Sequence, residues 1–157
     1  MSTGDLGTLT MRKVPLISNA EKVRGAVQRV VASELPALPV VGPDNKYLGI
    51  FGEREFISAL FPGYVGELRS ARFVPKQIDA YLEKKAACGE ESVLKYTNTE
   101  HIDVSESFSD MQLAETFIHH RVLIIPVING TGGVEGVITR SDFFKVLAER
   151  FNEMLYR

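Results

Sequence analysis

Two stretches of this chain are copies of one another, and a copied stretch limits the fold to something a repeated unit can build. Leu38-Pro39-Val40-Val41 returns as Ile125-Pro126-Val127-Ile128, and Gly49-Ile50-Phe51 returns as Gly136-Val137-Ile138, each 87 positions later. The same shift, without a gap, sets Thr10 on Thr97, Ile17 on Val104, Leu35 on Val122, Phe56 on Phe143 and Leu60 on Leu147. A constant offset over so long a span marks a tandem duplication.

Each copy predicts one order of elements. A short extended piece (Val14 to Ile17, His101 to Val104) precedes a helical pattern. That pattern is Val23, Ala26, Val27, Val30 and Val31 in the first copy, and Leu113, Ala114, Phe117 and Ile118 in the second. Asn19 and Ser107 stand where N-caps of these helices are expected. A strand follows, Ala37 to Val41 or Leu123 to Ile128, continuously apolar as strands buried on both faces are. Turn residues, Gly42-Pro43-Asp44-Asn45 and Asn129-Gly130-Thr131-Gly132-Gly133, lead to a second strand, Tyr47 to Phe51 or Val134 to Ile138. A last helix begins near Glu53 and near Arg140. The unit is β-α-β-β-α, too small to bury its own sheet, and two copies packed together solve that problem. The expected organisation is repeat one over residues 6–61, a partly helical spacer over 62–91 and repeat two over 92–152. Leu6 and Val93 open short lead-in segments at equivalent positions. In the spacer, Pro62-Gly63 ends the first unit, Val74-Pro75 breaks the next segment, and Lys76 to Ala87 reads as an amphipathic connector helix.

Composition narrows the function. The 157 residues carry a net charge of −2 with a sequence pI of about 5.9, so there is no basic field for nucleic acid or an anionic membrane. No apolar run approaches the roughly 20 residues needed to span a bilayer, and the N-terminus lacks a signal-peptide pattern. A cytoplasmic protein is the expectation. One cysteine, Cys88, gives neither a disulfide nor a metal framework. His119 and His120 have no third ligand beside them and read as cations at a helix C-terminus. No nucleophile stands with an evident base, so no enzyme activity is expected.

One motif carries chemistry. Thr139 and Asp142 have the S/T-x-x-D/E spacing of a capping box at the start of the last helix. The same place offers free N–H groups and a partial positive charge to an anion. A plain cap and the rim of a phosphate-bearing site are both open readings. In the first copy the matching residues are Gly52 and Glu55, so a cap there tolerates the loss of both side chains.

The repeated apolar-Pro-Val strand and the repeated Gly-apolar-apolar stretch before a polar turn, ten residues apart in each copy, resemble the cystathionine-β-synthase (CBS) domain family. The resemblance implies an α/β (α+β) fold, two β-α-β-β-α repeats packed with pseudo-two-fold symmetry into one module with two clefts. It also implies a regulatory role, homodimers, and binding of an adenosine-type ligand such as AMP, ADP, ATP or S-adenosylmethionine, with no required cofactor. Thr139 and Asp142 match the family's ligand motif, the carboxylate suited to ribose hydroxyls and the hydroxyl to phosphate. By position, Ile102, Val122, Ile125 and Pro126 would wall the adenine, and backbone near His101 and Leu123 would read its edge. Gly52 and Glu55 predict a weak or empty first cleft. Pro36-Ala37 and Leu123-Ile124 stand where many relatives have basic or polar residues facing phosphates. Arg121, His120, Lys145 and Arg54 remain as sources of positive charge, and a single phosphate or an uncharged adenosyl group suits this lining. The alternative reading is a ligand-free interaction module acting on a partner protein. In either case the last helices, Phe56-Ile57-Ala59-Leu60 and Phe143-Phe144-Val146-Leu147, are the expected dimer surface.

Overall fold

A computed structural model of the protein describes residues 5–61 and 78–156. Helix α1 (Asp5–Thr10) leads to β1 (Ile17–Ser18), α2 (Val23–Ser33), β2 (Ala37–Val41), a 3-10 turn over Pro43–Asn45, β3 (Tyr47–Gly52) and α3 (Glu53–Leu60). Helix α4 (Ile78–Lys85) and 3-10 turns over Ala86–Glu90 and Val93–Lys95 precede the second set. That set is β4 (Val104–Ser105), α5 (Asp110–His120), β5 (Ile124–Ile128), β6 (Val134–Thr139) and α6 (Arg140–Leu155). The β-α-β-β-α order therefore occurs twice. The expected breaks at Pro62-Gly63 and Val74-Pro75, and the expected helix start at Lys76, lie outside the described residues.

The two sheets are copies in register as well as in order. In each, the first strand runs parallel to the second and the second antiparallel to the third. Val40 faces Gly49 in one sheet and Val127 faces Gly136 in the other, and each register slips at the next residue. All five residues of β2 are buried, as are the first four of β5. One face of each central strand packs on its own helices and the other on the opposite repeat. Ile124 and Val137 accordingly belong to the core of the first repeat, beside Leu38, Val40 and Phe51, while Ile125, Val127 and Ile138 pack with Leu113 and Phe117. Neither sheet would be covered without the other.

The lead-in segments cross over. Leu6 packs in the second repeat's core, and Val93 in the first repeat's. The amide groups of Leu6 and Gly7 donate to the Asp110 carboxylate at 3.2 and 3.0 Å, so Asp110 of α5 holds the start of α1. Arg12 exchanges two backbone hydrogen bonds of 2.8 Å with Val137 of β6, and Asn98 exchanges bonds of 2.8 and 3.0 Å with Ile50 of β3. Each repeat thus lends a strand-like residue to the edge of the other's sheet.

This exchange explains both sequence hallmarks. A Cβ on Gly49 would lie 2.3 Å from the Asn98 carbonyl oxygen, and one on Gly136 would lie 2.5 Å from that of Arg12. The repeated glycine is the place where the crossing backbone passes. The repeated proline sits in a central strand, where a missing N–H would ordinarily break the ladder. Pro39 faces Ile50 and Pro126 faces Val137, the two residues whose own N–H and C=O groups turn outward to the lead-in segments. The prolines therefore face away from the antiparallel ladder. On their other side β1 and β4 begin pairing only one residue later, at Val40 and Val127. This also corrects the expected first strands, Val14 to Ile17 and His101 to Val104. They start at Ile17 and Val104, opposite Val40 and Val127, once the central strand has passed its proline.

The expected helix caps are corrected too. Helix α5 is capped by Ser109, whose hydroxyl accepts the Gln112 amide at 3.1 Å, and not by Ser107. Helix α2 starts after Lys22, not after Asn19, and makes no side-chain cap bond, because a lysine ammonium has no acceptor; the Val23 amide donates instead to the Glu91 carbonyl at 2.9 Å. Val31 and Ile118, expected on buried faces, are exposed at matching positions.

Candidate functional site

The strand-to-helix junctions of the two repeats lie on two unequal clefts. At the end of β6 the chain stays extended through Thr139, whose buried hydroxyl accepts the Asp142 amide at 3.0 Å and caps α6. The Arg140 amide donates to the Leu123 carbonyl at 2.9 Å, tying the helix start to the segment before β5. Asp142 turns its carboxylate to Arg12, which donates from Nε to Oδ2 at 2.5 Å and from Nη2 to Oδ1 at 2.8 Å. That bond, before the opposing effect of burial and the help of the Thr139 hydroxyl, holds the Asp142 carboxyl below its ordinary range.

Around this junction opens a cavity of about 630 Å³. Arg12, Arg140 and Lys145 give it positive charge, and Glu34 and Asp142 negative charge. Leu35, Pro36, Leu123 and Phe144 give it apolar wall. Its volume falls in the range of small-molecule sites. The matching cleft of the first repeat, between Glu53 to Glu55, Asn98 and Arg121 to Ile124, encloses about 160 Å³. There the Glu53 amide donates to the Pro36 carbonyl at 2.9 Å, the same tie as in the second repeat. A Cβ on Gly52 would meet the Pro36 oxygen at 2.2 Å and the Ala37 Cβ at 2.4 Å. The first repeat has closed over the space its Thr139 equivalent would need.

The two carboxyl groups are consequently shifted in opposite directions from their ordinary values. Burial pushes Glu55 up, with backbone N–H groups of Glu55 and Gly52 and the charge of Arg54 opposing. A raised carboxylate costs stability above its folded value and recovers it as pH falls; a depressed one contributes stability above about pH 4 that is lost on acidification. At pH 7, Glu55→Gln is therefore expected to raise the melting temperature by about 1 °C. Asp142→Asn is expected to lower it by a similar amount, small because Arg12 is half exposed. Thermal melts at pH 7 and pH 3 check this: both differences should shrink at pH 3. Equal signs at pH 7 would contradict the asymmetry.

The structure brings together some of the residues the sequence singled out. Thr139, Asp142 and Leu123 line the large cavity, with Lys145. Val122 lines the smaller cleft, as do Arg121 and Arg54. Ile125 is fully buried in the second repeat's core and Pro126 is buried on β5, so neither faces the large cavity. His101 is exposed, edge-on to the Tyr47 ring at 5.7 Å, and His101 and Ile102 stand apart from the Thr139 cavity's lining. The cause is the crossover. The segment before β4 runs to the first repeat's sheet, and the segment before β1 supplies the wall beside Asp142. Arg12, which no local signal in the sequence points to, enters the cavity through that crossover, while Glu34 and Leu35 reach it from the end of α2, beside the Pro36 expected to face phosphate. His119 and His120 pack ring to ring at the end of α5, and among the described residues no group of His, Cys, Asp or Glu is placed to hold a metal.

The CBS domain family model matches residues 5–62 and 97–149. The chain belongs to the CBS domain family. The CBS pair also matches solved structures across most of their lengths. A CBS domain-containing protein of unknown function from Kribbella flavida has 19% identity and a TM-score of 0.68, with 90% of this chain and 97% of that one covered. A putative acetoin utilization protein (AcuB) from Vibrio cholerae has 16% identity and a TM-score of 0.71, covering 99% and 98%. CBSX2, solved in complex with AMP, has 16% identity and a TM-score of 0.67, covering 91% and 96%. A search of the curated proteins found none that matches in sequence. Among the described residues, no helix of the CBS pair is long and apolar enough to cross a membrane.

Proposed function

We propose that this CBS pair is a regulatory module that binds an adenosine-type ligand through the cleft of its second repeat. The observation that carries this reading is the asymmetry of the clefts. A cavity of about 630 Å³ keeps Thr139 and Asp142 at its rim, while its counterpart of about 160 Å³ has neither. A vicinal diol suits Asp142, an acceptor with two oxygens, and a phosphate suits the α6 start with Arg140 and Lys145. The base has Leu35, Pro36 and Leu123 as apolar wall. AMP in CBSX2, which shares this fold, supports the ligand class. The signal would be a shift in repeat packing or in dimer arrangement, since ligand spans residues of both repeats.

Self-association is part of the same reading. Val31 and Ile118, and likewise Ile57 and Phe144, are exposed at matching positions of the two repeats. Leu147, Phe151 and Met154 extend the exposed face along α6. Of the expected dimer surface, Ala59 and Phe143 are buried in the cores, which leaves this narrower face. The competing reading is a ligand-free module that uses the same face on a partner protein.

Calorimetric titration with AMP, ADP, ATP and S-adenosylmethionine, with sedimentation of the same samples, tests both. The expected result is one site per chain with affinity for at least one of them and a ligand-dependent sedimentation profile. Self-association with no heat and no thermal shift from any of the four would sink the ligand reading in favour of the competing one.

A further inference from the structure

The ion pair at the cavity rim joins two pieces of chain that the duplication does not match. Arg12 comes from the lead-in of the first repeat, 130 positions before Asp142. Its backbone is fixed to β6 by two hydrogen bonds to Val137, so the side chain is delivered to the rim by the crossover itself. The guanidinium occupies both oxygens of the carboxylate, the geometry in which an arginine fork recognises a carboxylate or a phosphate alike. At the smaller cleft, the crossing segment presents Asn98, and Glu55 is held by backbone instead. Arg54 and Arg121 line the smaller cleft, but among the described residues the guanidinium paired with a helix-start carboxylate is Arg12 at the larger cleft, on the acceptor that the proposed ligand's diol requires.

We infer that Arg12 is the phosphate-discriminating residue of this site, an internal occupant of Asp142 that a ligand must displace and re-house. This rests on the ligand reading above. A nucleoside has hydroxyls to replace Arg12 at Asp142 but offers the displaced guanidinium no anion. A nucleoside monophosphate does both, exchanging one charge-assisted pair for another within the same cavity. Arg140 and Lys145 stand on the same wall and reinforce the anion's place. The displaced side chain remains tethered at Val137, so it can reach only an anion held inside the cavity. The site therefore selects a diol and an anion together.

Titrating AMP and adenosine into the full chain and into Arg12→Ala and Arg12→Lys separates this role from a structural one. Arg12→Ala is expected to weaken AMP about tenfold, the worth of one hydrogen-bonded charge. It should tighten adenosine by up to about threefold, since a half-exposed ion pair no longer has to be broken. Arg12→Lys, which keeps the charge without the fork, should fall between the two for AMP. A loosened fold would weaken both ligands together, so opposite movement of the two affinities is the signature. If AMP binds and both affinities fall equally or neither moves, the role of Arg12 is overturned while the site stands. If neither AMP nor adenosine binds the unaltered chain, the role of Arg12 is overturned, and the site falls with it when ADP, ATP and S-adenosylmethionine fail as well.

Discussion

Valine in place of Gly136 is expected to cost about 3 kcal/mol of stability, a fall in Tm of roughly 6–12 °C for a chain of this size. The added Cβ would lie 2.5 Å from the carbonyl oxygen of Arg12, and that oxygen belongs to backbone held by two hydrogen bonds to Val137. A flexible side chain could swing away; a paired strand residue cannot. The lead-in must leave β6, and Arg12 leaves Asp142 with it. Gly49→Val is expected to act alike on the other half, where the Asn98 oxygen is 2.3 Å away. Gly130 is the control, since a Cβ there meets nothing within 4 Å, and Gly130→Ala should shift stability by less than about 0.5 kcal/mol. Thermal unfolding followed by circular dichroism gives the comparison. A Gly136→Val melt indistinguishable from that of Gly130→Ala would mean the crossover does not hold the repeats together.

Alanine in place of Asp142 is expected to weaken the binding of AMP about thirtyfold to a hundredfold, the lower figure allowing for the Arg12 pair that no longer has to be broken. Two hydroxyl groups donating to one carboxylate make two charge-assisted hydrogen bonds, worth together about 3 kcal/mol, and that energy corresponds to about two decades in affinity. The variant keeps the α6 cap, because Thr139 accepts the amide of residue 142 and not its side chain. Glu55→Ala is the matched control at the smaller cleft and should leave AMP affinity unchanged. Calorimetric titration of the three chains decides it. Undiminished affinity in Asp142→Ala, or a loss in Glu55→Ala in its place, would refute the assignment of the site to the second repeat.

Much of the fold is written in the chain because duplication makes its own control. Two copies of apolar-Pro-Val and of Gly-apolar-apolar at one offset identify paired strands and a repeated unit before any distance is known. The continuous apolarity of Ala37 to Val41 and of Leu123 to Ile128 states that both faces are covered, which the packing of the two sheets provides from Ala37 to Val41 and from Ile124 to Val127. Gly52 against Thr139 announced that the clefts differ, and the difference in their volumes is its physical form. These are local signals. Each depends on a side chain's size or on the backbone freedom of its own residue.

The rest is non-local. By position in the chain, His101, Ile102, Ile125 and Pro126 are expected beside Thr139, and the structure does not place them in that cavity's lining. The lead-in segments instead change places, so residues before β1 and at the end of α2 face Asp142. Nothing in the residues of a lead-in says which sheet edge it will join, because the same apolar Leu6 or Val93 fits either core. The sequence by itself therefore determined the repeat, its elements, the buried strands and the carboxylate at the helix start. Only the tertiary structure decided which cation meets that carboxylate, since an edge strand's partner is chosen by the hydrogen bonds left unpaired when two sheets are already packed face to face.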